Sequence, residues 1–204
     1  MTVDLRGLRR SPLGGPLVTG SVQAVRLHEL PWRTLIELRI ATAPDGSGAQ
    51  TGAVESALGL ELPSAGLASS DGDRLAVWLG PGWWLLDEPE SGAAAAGGME
   101  AFEAPIVQLL RAAGGPTSAV DVSAGFAVLE LAGPRAAAVL AHGCSIDLHP
   151  RVFGPVRAAR TMVAKAQVVL AQTGGVVPTY RIWVRSSFAR YLAEWLLDAM
   201  TEYR

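Results

Sequence analysis

The amino-acid sequence predicts an α+β fold made of duplicated strand–helix–strand units, with antiparallel sheets covered by helices. Short segments in which apolar and polar residues alternate recur along the chain, as is typical of half-buried strands. Apolar residues at helical spacing mark the helices between and after them. A weak internal echo favours duplication, because TLIELRI, a helix and ALGLELP are followed later by AVLELAG, a helix and GCSIDLHP. This order of elements indicates a repeated α+β unit.

The predicted organisation is an arm followed by two halves that form one compact unit. Residues 1–20 are rich in proline and glycine and are predicted to form an extended N-terminal arm. Residues 21–116 are the first α+β half, and residues 117–204 are the second. Loops are predicted at 43–52 and at the alanine- and glycine-rich segment 91–98.

The first half is predicted to contain strands at 21–30, 33–40, 74–80 and 83–89, and helices at 53–63 and from Pro105. The helix at 53–63 is expected to stop at Gly59, since glycine adopts the left-handed conformation that often ends a helix. Gly80, Pro81 and Gly82 join the third and fourth strands, and this turn-forming sequence predicts a hairpin.

The second half is predicted to contain strands at 117–125, 126–133 and 179–185, two strands within 159–172, and helices at 134–142 and near the C-terminus. Pro134 is placed at the first position of its helix and Gly143 at its left-handed end. Ser186 or Ser187 is expected to cap the final helix. The apolar stripe of this helix is predicted to be Phe188, Tyr191, Leu192, Trp195, Leu196 and Met200.

The composition of the chain argues against several classes of function. The 204 residues carry a formal net charge of −2 and no run of lysine or arginine, which argues against nucleic-acid binding. A single cysteine allows no internal disulfide, as expected for a reducing cytoplasm. Arg9 and Arg10 raise the question of a twin-arginine export signal, but the prolines and glycines that follow leave no apolar region for one. We expect a cytoplasmic protein with no membrane span.

The stretch AHGCSIDLHP at 141–150 contains the only cysteine and two of the three histidines. His142, Cys144, Asp147 and His149 could bind zinc, although their spacing matches no common zinc motif. Cys144 could also be a nucleophile, but its position after a helix C-terminus opposes thiolate formation. The third alternative is a structural turn in which Cys144 packs as a small apolar residue. Phosphate-binding and nucleophile-elbow motifs are absent from the sequence.

Six tryptophans are many for this length, and their positions suggest covered surfaces. Trp83 and Trp84 are adjacent on one predicted strand, so one ring points to each face. Trp183 is expected to lie on the face opposite Tyr180, Ile182 and Val184. An outward tryptophan on a strand is covered either by a second sheet or by a partner protein.

Beyond these patterns, an ordered set of short motifs resembles the gamma subunit family of heterotetrameric sarcosine oxidase. The resemblance covers nearly the whole chain and is strongest from about residue 126. The motifs are Ser11-Pro12-Leu13, Leu79-Gly80-Pro81, Trp84-Leu85-Leu86, Gly133-Pro134-Arg135, Gly143-Cys144, Asp147-Leu148-His149-Pro150, Ala159-Arg160-Thr161, Lys165, Arg185-Ser186-Ser187-Phe188 and Trp195-Leu196-Leu197-Asp198-Ala199.

The resemblance implies an aminomethyltransferase-like fold, similar to the folate-binding T-protein of glycine cleavage, and membership of an αβγδ complex. That complex would oxidise sarcosine to glycine, with hydrogen peroxide and 5,10-methylenetetrahydrofolate as further products. FAD, FMN, NAD, zinc and tetrahydrofolate would be bound by partner subunits. The gamma chain would have no catalytic, cofactor or metal site and would pack mainly on the alpha subunit.

Four residues are predicted to lie at a subunit interface: Trp84, His149, Arg160 and Trp183. Two other functions stay open from the sequence. The first is a free-standing tetrahydrofolate-binding or aminomethyltransferase-like protein, because fold alone does not determine function. The second is a small metal-binding protein that uses the side chains of the 141–150 stretch.

Overall fold

A computed structural model describes residues 10–15, 17–41, 49–89, 108 and 117–203. The strands are β1 (Val18–Ser21), β2 (Val25–Glu29), β3 (Thr34–Ile40), β4 (Ala68–Asp71), β5 (Arg74–Gly80), β6 (Trp83–Glu88), β7 (Thr117–Asp121), β8 (Phe126–Ala132), β9 (Ala158–Val163), β10 (Ala166–Gln172) and β11 (Thr179–Arg185). The helices are α1 (Ala49–Leu58), α2 (Ala136–Ala141) and α3 (Ser186–Ala199), with 3₁₀ turns at Ser123–Gly125 and Met200–Tyr203.

Two antiparallel sheets form the centre of the molecule. The six-stranded sheet has the order β1-β2-β8-β11-β10-β9, and the five-stranded sheet has the order β4-β5-β6-β3-β7. Each sheet contains strands from before and after the predicted boundary between residues 116 and 117. Strands β1 and β2 join β8–β11 in one sheet, and β7 joins β3–β6 in the other. The division into two halves at that point stays a prediction.

The sheets and helices stack in four layers. Helices α2 and α3 cover one face of the six-stranded sheet, where Leu140, Leu192 and Ile182 belong to one apolar cluster. Helix α1 covers the outer face of the five-stranded sheet through Val54 and Leu58. The remaining faces of the two sheets pack on each other. Each sheet is therefore buried on both faces over its central strands, as face-to-face sheet packing requires.

Most of the predicted elements are present. The β5–β6 hairpin and the β9–β10 hairpin are confirmed, and α1 ends before Gly59, whose φ is +61°. The predicted strand at 21–30 is instead the end of β1, a turn and β2. The predicted loop at 43–52 overlaps the start of α1, and its residues 42–48 lie outside the described residues, as do 91–98 and Pro105.

Three predictions about helix ends are wrong. Gly143 has no positive φ; it is required because a Cβ there would lie 2.7 Å from Cζ2 of Trp195. Pro134 precedes α2, which begins after Arg135. The Ser186 hydroxyl donates a hydrogen bond to the carbonyl of Ala124, 2.9 Å away, so it does not cap α3.

The predicted stripe of α3 is partly wrong as well. Phe188 and Tyr191 are exposed, and Ala189 and Ala193 are buried in their place. Alanine at these positions lets the helix approach the sheet closely. None of the helices in the described residues combines the length and apolar character that a membrane crossing needs.

Candidate functional site

The stretch from His142 to His149 forms a local turn after α2. Nε2 of His142 lies 3.0 Å from the Tyr203 hydroxyl and 3.6 Å from Oε2 of Glu202. Oδ1 of Asp147 accepts a hydrogen bond from the backbone N–H of His149 at 2.8 Å. Cys144 is half-buried and packs against the apolar cluster below α2 and α3. The side chains that suggested chemistry therefore contact the C-terminal residues, bind within the turn or pack on the core.

A metal site is not formed by these four residues. In the part of the chain that the structure describes, no group of three or more His, Cys, Asp or Glu side chains is arranged to hold a metal ion. The residues do not fit a zinc site, because structural zinc needs four converging ligands. The turn alternative explains the stretch better than the metal or nucleophile alternatives.

The most notable polar feature lies between the two sheets. Asp87 of β6 is fully buried, and its carboxylate accepts hydrogen bonds from Nε of Arg33 at 2.5 Å and Nε1 of Trp183 at 2.9 Å. Nη1 of Arg181 lies 3.5 Å from Oδ2 of the same carboxylate. Asp73 binds both arginines from its own side, with Nη2 of Arg181 2.5 Å from Oδ1. Two aspartates therefore balance two arginines, and we call these four residues the ion-pair cluster.

The strands bring the members of the ion-pair cluster together. Arg181 and Trp183 are alternate residues of β11 and point to the same face. Asp73 lies in the turn between β4 and β5. Arg33 directly precedes β3. Residues from both sheets thus meet in one cluster, in which Asp87 and both arginines are buried and Asp73 is exposed.

Burial and the arginine charges have opposite effects on the pKa values of the two aspartates in this cluster. Burial raises the pKa of the Asp87 carboxyl, and the positive charges of Arg33 and Arg181 oppose that effect. Burial also raises the pKa of Asp73, but the hydrogen bonds and charges of Arg181 and Arg33 outweigh it and hold that pKa below its usual value. Arginine does not give up its proton in proteins. The cluster is therefore suited to joining the sheets rather than to acid–base catalysis.

The sequence did not reveal this cluster. Glu130 of β8 also approaches the cluster, with Oε2 3.8 Å from Nη2 of Arg181. One signal was available: Asp87 follows Leu85 and Leu86 in a strand whose two faces are both apolar. A charge at such a position needs a buried partner.

The predicted interface residues are split between the interior and the surface. Trp84 is buried under α1, where its Nε1 donates to the carbonyl of Pro63 at 2.9 Å. Trp183 is fully buried between the sheets, so the second sheet layer is what covers it. His149 and Arg160 are exposed. A subunit interface for these residues stays a prediction, and in the isolated chain only the latter two are available for direct contact.

A cavity of about 320 Å³ lies beside the beginning of the described chain. Its walls include Ser11, Glu29, Trp32 and Phe126. Oε1 of Glu29 accepts a hydrogen bond from the Ser11 hydroxyl at 2.6 Å, which ties the arm to β2. Burial raises the pKa of Glu29, although Ser11 and His28 partly offset that effect.

Known relatives match this chain along nearly its full length. A model of the sarcosine oxidase, gamma subunit family, matches residues 42–202. Two proteins described as sarcosine oxidase subunit gamma, from Corynebacterium sp. (strain U-96) and from Arthrobacter sp, are each 36% identical to it. Both alignments cover 98% of this chain and 94% of the relative. The chain belongs to the sarcosine oxidase gamma subunit family.

Solved structures agree with this family assignment. A chain of the heterotetrameric sarcosine oxidase from Corynebacterium sp. U-96, in complex with pyrrole 2-carboxylate, matches with a TM-score of 0.76 and 34% identity over 96% of each chain. The glycine cleavage system aminomethyltransferase T from Bartonella henselae matches with a TM-score of 0.62 and 18% identity, over 93% of this chain and 57% of that one. The second match shows the fold alone. The predicted family and aminomethyltransferase-like fold are confirmed.

Proposed function

We propose that this chain is the non-catalytic gamma subunit of a heterotetrameric αβγδ sarcosine oxidase. The observation that carries the proposal is 36% identity to gamma subunits over 98% of the chain. The complex would oxidatively demethylate sarcosine to glycine, with hydrogen peroxide and 5,10-methylenetetrahydrofolate as the other products. Its setting would be the cytoplasm, with neither nucleic acid nor a membrane as partner.

A structural role fits the geometry of the chain. The carboxylates between the sheets are bound to arginine, and the polar groups of the 142–149 turn contact the turn itself or the C-terminal residues. In this proposal FAD, FMN, NAD, zinc and tetrahydrofolate are bound by partner subunits. The chain would support assembly by packing mainly on the alpha subunit.

The experiment compares the chain expressed alone with the chain co-expressed with the alpha, beta and delta subunits. The isolated chain is expected to be colourless, with no flavin absorbance in the visible range. It is expected to release no heat on calorimetric titration with a reduced folate. In co-expression it is expected to co-purify with the large subunits at one copy per complex.

Two results would contradict the proposal. A flavin-loaded isolated chain would place redox chemistry on this subunit. Micromolar binding of a reduced folate by the isolated chain, together with failure to co-purify, would favour the free-standing folate-binding alternative. The family match disfavours that alternative.

A further inference from the structure

The two sheets are joined by ion pairs at one end of the sandwich and by an arginine stacked on a tryptophan at the other. Asp87 and Arg181 lie near one end of β6 and β11, whereas Trp83 and Arg185 lie at the other end of the same strands. Leu35 and Leu85 belong to the cluster between the sheets. Residues an even number of positions along the same strands point to that same face. We call the far end of this face the open end; it consists of Glu37, Arg39, Trp83, Val120, Arg160, Met162, Gln167 and Arg185.

Arginine side chains stack on aromatic rings at the open end. The guanidinium of Arg39 lies 4.1 Å from the ring centre of Trp83, and that of Arg160 lies 4.7 Å from it. The guanidinium of Arg185 lies 4.4 Å from the ring centre of Phe126. Stacking of this kind fixes the plane of a guanidinium and leaves its N–H groups free at the edges. Stacking therefore orients the arginines without neutralising their charge.

Among the described residues, the open end contains fewer carboxylates than arginines. Nη2 and Nε of Arg39 bind one oxygen of Glu37 at 2.9 and 3.0 Å. Arg160 and Arg185 have no carboxylate within 4.0 Å among the described residues. Among the described residues, the open end thus has three arginines and one glutamate, in contrast to the balanced ion-pair cluster. The surplus is positive in a chain whose formal net charge is −2.

Three apolar or aromatic side chains of the open end are exposed or only half-buried. Val120 is 51% exposed and Met162 is 43% exposed, and Trp83 is only half-buried. Arginine, tryptophan and methionine are residues that protein interfaces favour. Oriented guanidinium groups next to an exposed apolar surface match a protein segment that carries carboxylates, because arginine binds a carboxylate through two parallel hydrogen bonds.

We propose that the open end binds an acidic segment of a partner subunit, with Arg160 and Arg185 pairing with its carboxylates and Val120 and Met162 contacting its apolar residues. This inference rests on the proposed function, since the partner is a subunit of the same complex. It places the docking site at the far end of the sandwich from the ion-pair cluster. Arg160, one of the four predicted interface residues, belongs to it.

The test measures the affinity of the full-length chain for a complex of the other three subunits by analytical ultracentrifugation. Arg160→Glu is expected to raise the dissociation constant at least tenfold, and Arg160→Ala is expected to raise it less. Arg151→Glu is the matched control. Arg151 is also exposed, and it lies in a loop whose Leu148 and Phe153 pack on the helix-covered face of the six-stranded sheet. Its reversal is expected to leave the dissociation constant unchanged.

Salt dependence gives a second readout. Binding of the wild type is expected to weaken as the salt concentration rises, because exposed charge pairs are screened. Arg160→Glu is expected to show a weaker dependence than Arg151→Glu.

The outcomes separate the inference from the proposed function. If the wild type does not bind the other subunits, both fail. If the wild type binds and Arg160→Glu binds equally well, only the inference fails. A lower melting temperature of isolated Arg160→Glu, with unchanged affinity per folded chain, would mean that another part of the same chain pairs with Arg160, and would also overturn the inference.

Discussion

Strand β11 carries two chemically different faces on alternate residues. Tyr180, Ile182 and Val184 face α2 and α3 in an apolar cluster. Arg181 and Trp183 face the second sheet, where both approach the carboxylate of Asp87. Both faces are buried, but one depends on packing volume and the other on balanced charge. Substitutions on the two faces of this strand should therefore lower the stability of the fold for two different reasons.

The difference follows from what lies opposite each face. Helices can approach a sheet closely where small residues meet it, so the helix-covered face needs matching volumes. The sheet-covered face contains a buried ion pair, and removing one partner leaves an uncompensated charge in the interior. The following changes test whether this distinction holds, beginning with the largest expected effect.

Asp87→Asn should be the most damaging change. It removes the buried negative charge from the ion-pair cluster and leaves Arg33 and Arg181 paired with Asp73, at the exposed side, and Arg181 also near Glu130. Breaking a buried ion pair in this way typically lowers the free energy of unfolding by about 3–5 kcal/mol. Urea unfolding of the isolated chain, followed by tryptophan fluorescence, measures the loss.

Asp71→Asn is the matched control for that experiment. Asp71 is exposed, and its carboxylate lies 3.6 Å from Nη1 of Arg74. An exposed pair of this kind contributes less than about 1 kcal/mol. If Asp87→Asn cost no more than this control, the inter-sheet face would not depend on charge balance.

Gly143→Ala tests whether the helix-covered face tolerates an added methyl group. A Cβ at this position would lie 2.7 Å from Cζ2 of Trp195 and 2.9 Å from the backbone nitrogen of Ala164. Overpacking of this kind typically costs about 1–3 kcal/mol. The measurement is the same urea titration.

Gly175→Ala provides the comparison for Gly143→Ala. A Cβ at Gly175 would meet nothing within 4 Å, and the residue has no positive φ. We expect its stability to be unchanged or slightly higher, because alanine restricts the unfolded chain more than glycine does. Equal stability of the two variants would show that α3 moves away from the turn at no cost.

The sequence could predict the alternation of β11 but not what each face touches. The period of two placed Trp183 opposite Ile182, and the structure confirms that. Which layer covers Trp183 depends on how the sheets stack, and this is set by contacts between residues almost a hundred positions apart, such as Asp87 and Trp183. For the same reason the role of Asp87 was missed.

Local sequence patterns predicted hairpins correctly, because the residues of a hairpin are neighbours in the chain. They were misleading where contacts between distant residues determine the role of a side chain. The β5–β6 hairpin was predictable because its turn residues adjoin its strands. Gly143 was expected to end a helix through its backbone conformation, yet its requirement comes from the ring of Trp195. The motif resemblance succeeded because it compares many positions at once, whereas periodicity at one element samples only a few.

Cys144→Ser should lower the free energy of unfolding less than Asp87→Asn or Gly143→Ala does. Cys144 is half-buried at the edge of the helix-covered cluster, and its backbone N–H donates to the carbonyl of Leu140 at 2.9 Å. A serine hydroxyl there loses apolar contact but stays close to solvent. We therefore expect a cost of about 1 kcal/mol, at the low end of the range for burying a hydroxyl. Ser145→Ala, at the exposed neighbouring position, is expected to change stability by less than about 0.5 kcal/mol.

Turnover separates the packing role of Cys144 from a chemical one. If the thiol only fills space beside α2, the assembled complex that contains Cys144→Ser should oxidise sarcosine at the wild-type rate per complex. A loss of turnover in a fully assembled complex would mean that the thiol takes part in the chemistry. Such a result would break the comparison between the two faces, because the helix-covered face would then serve more than packing.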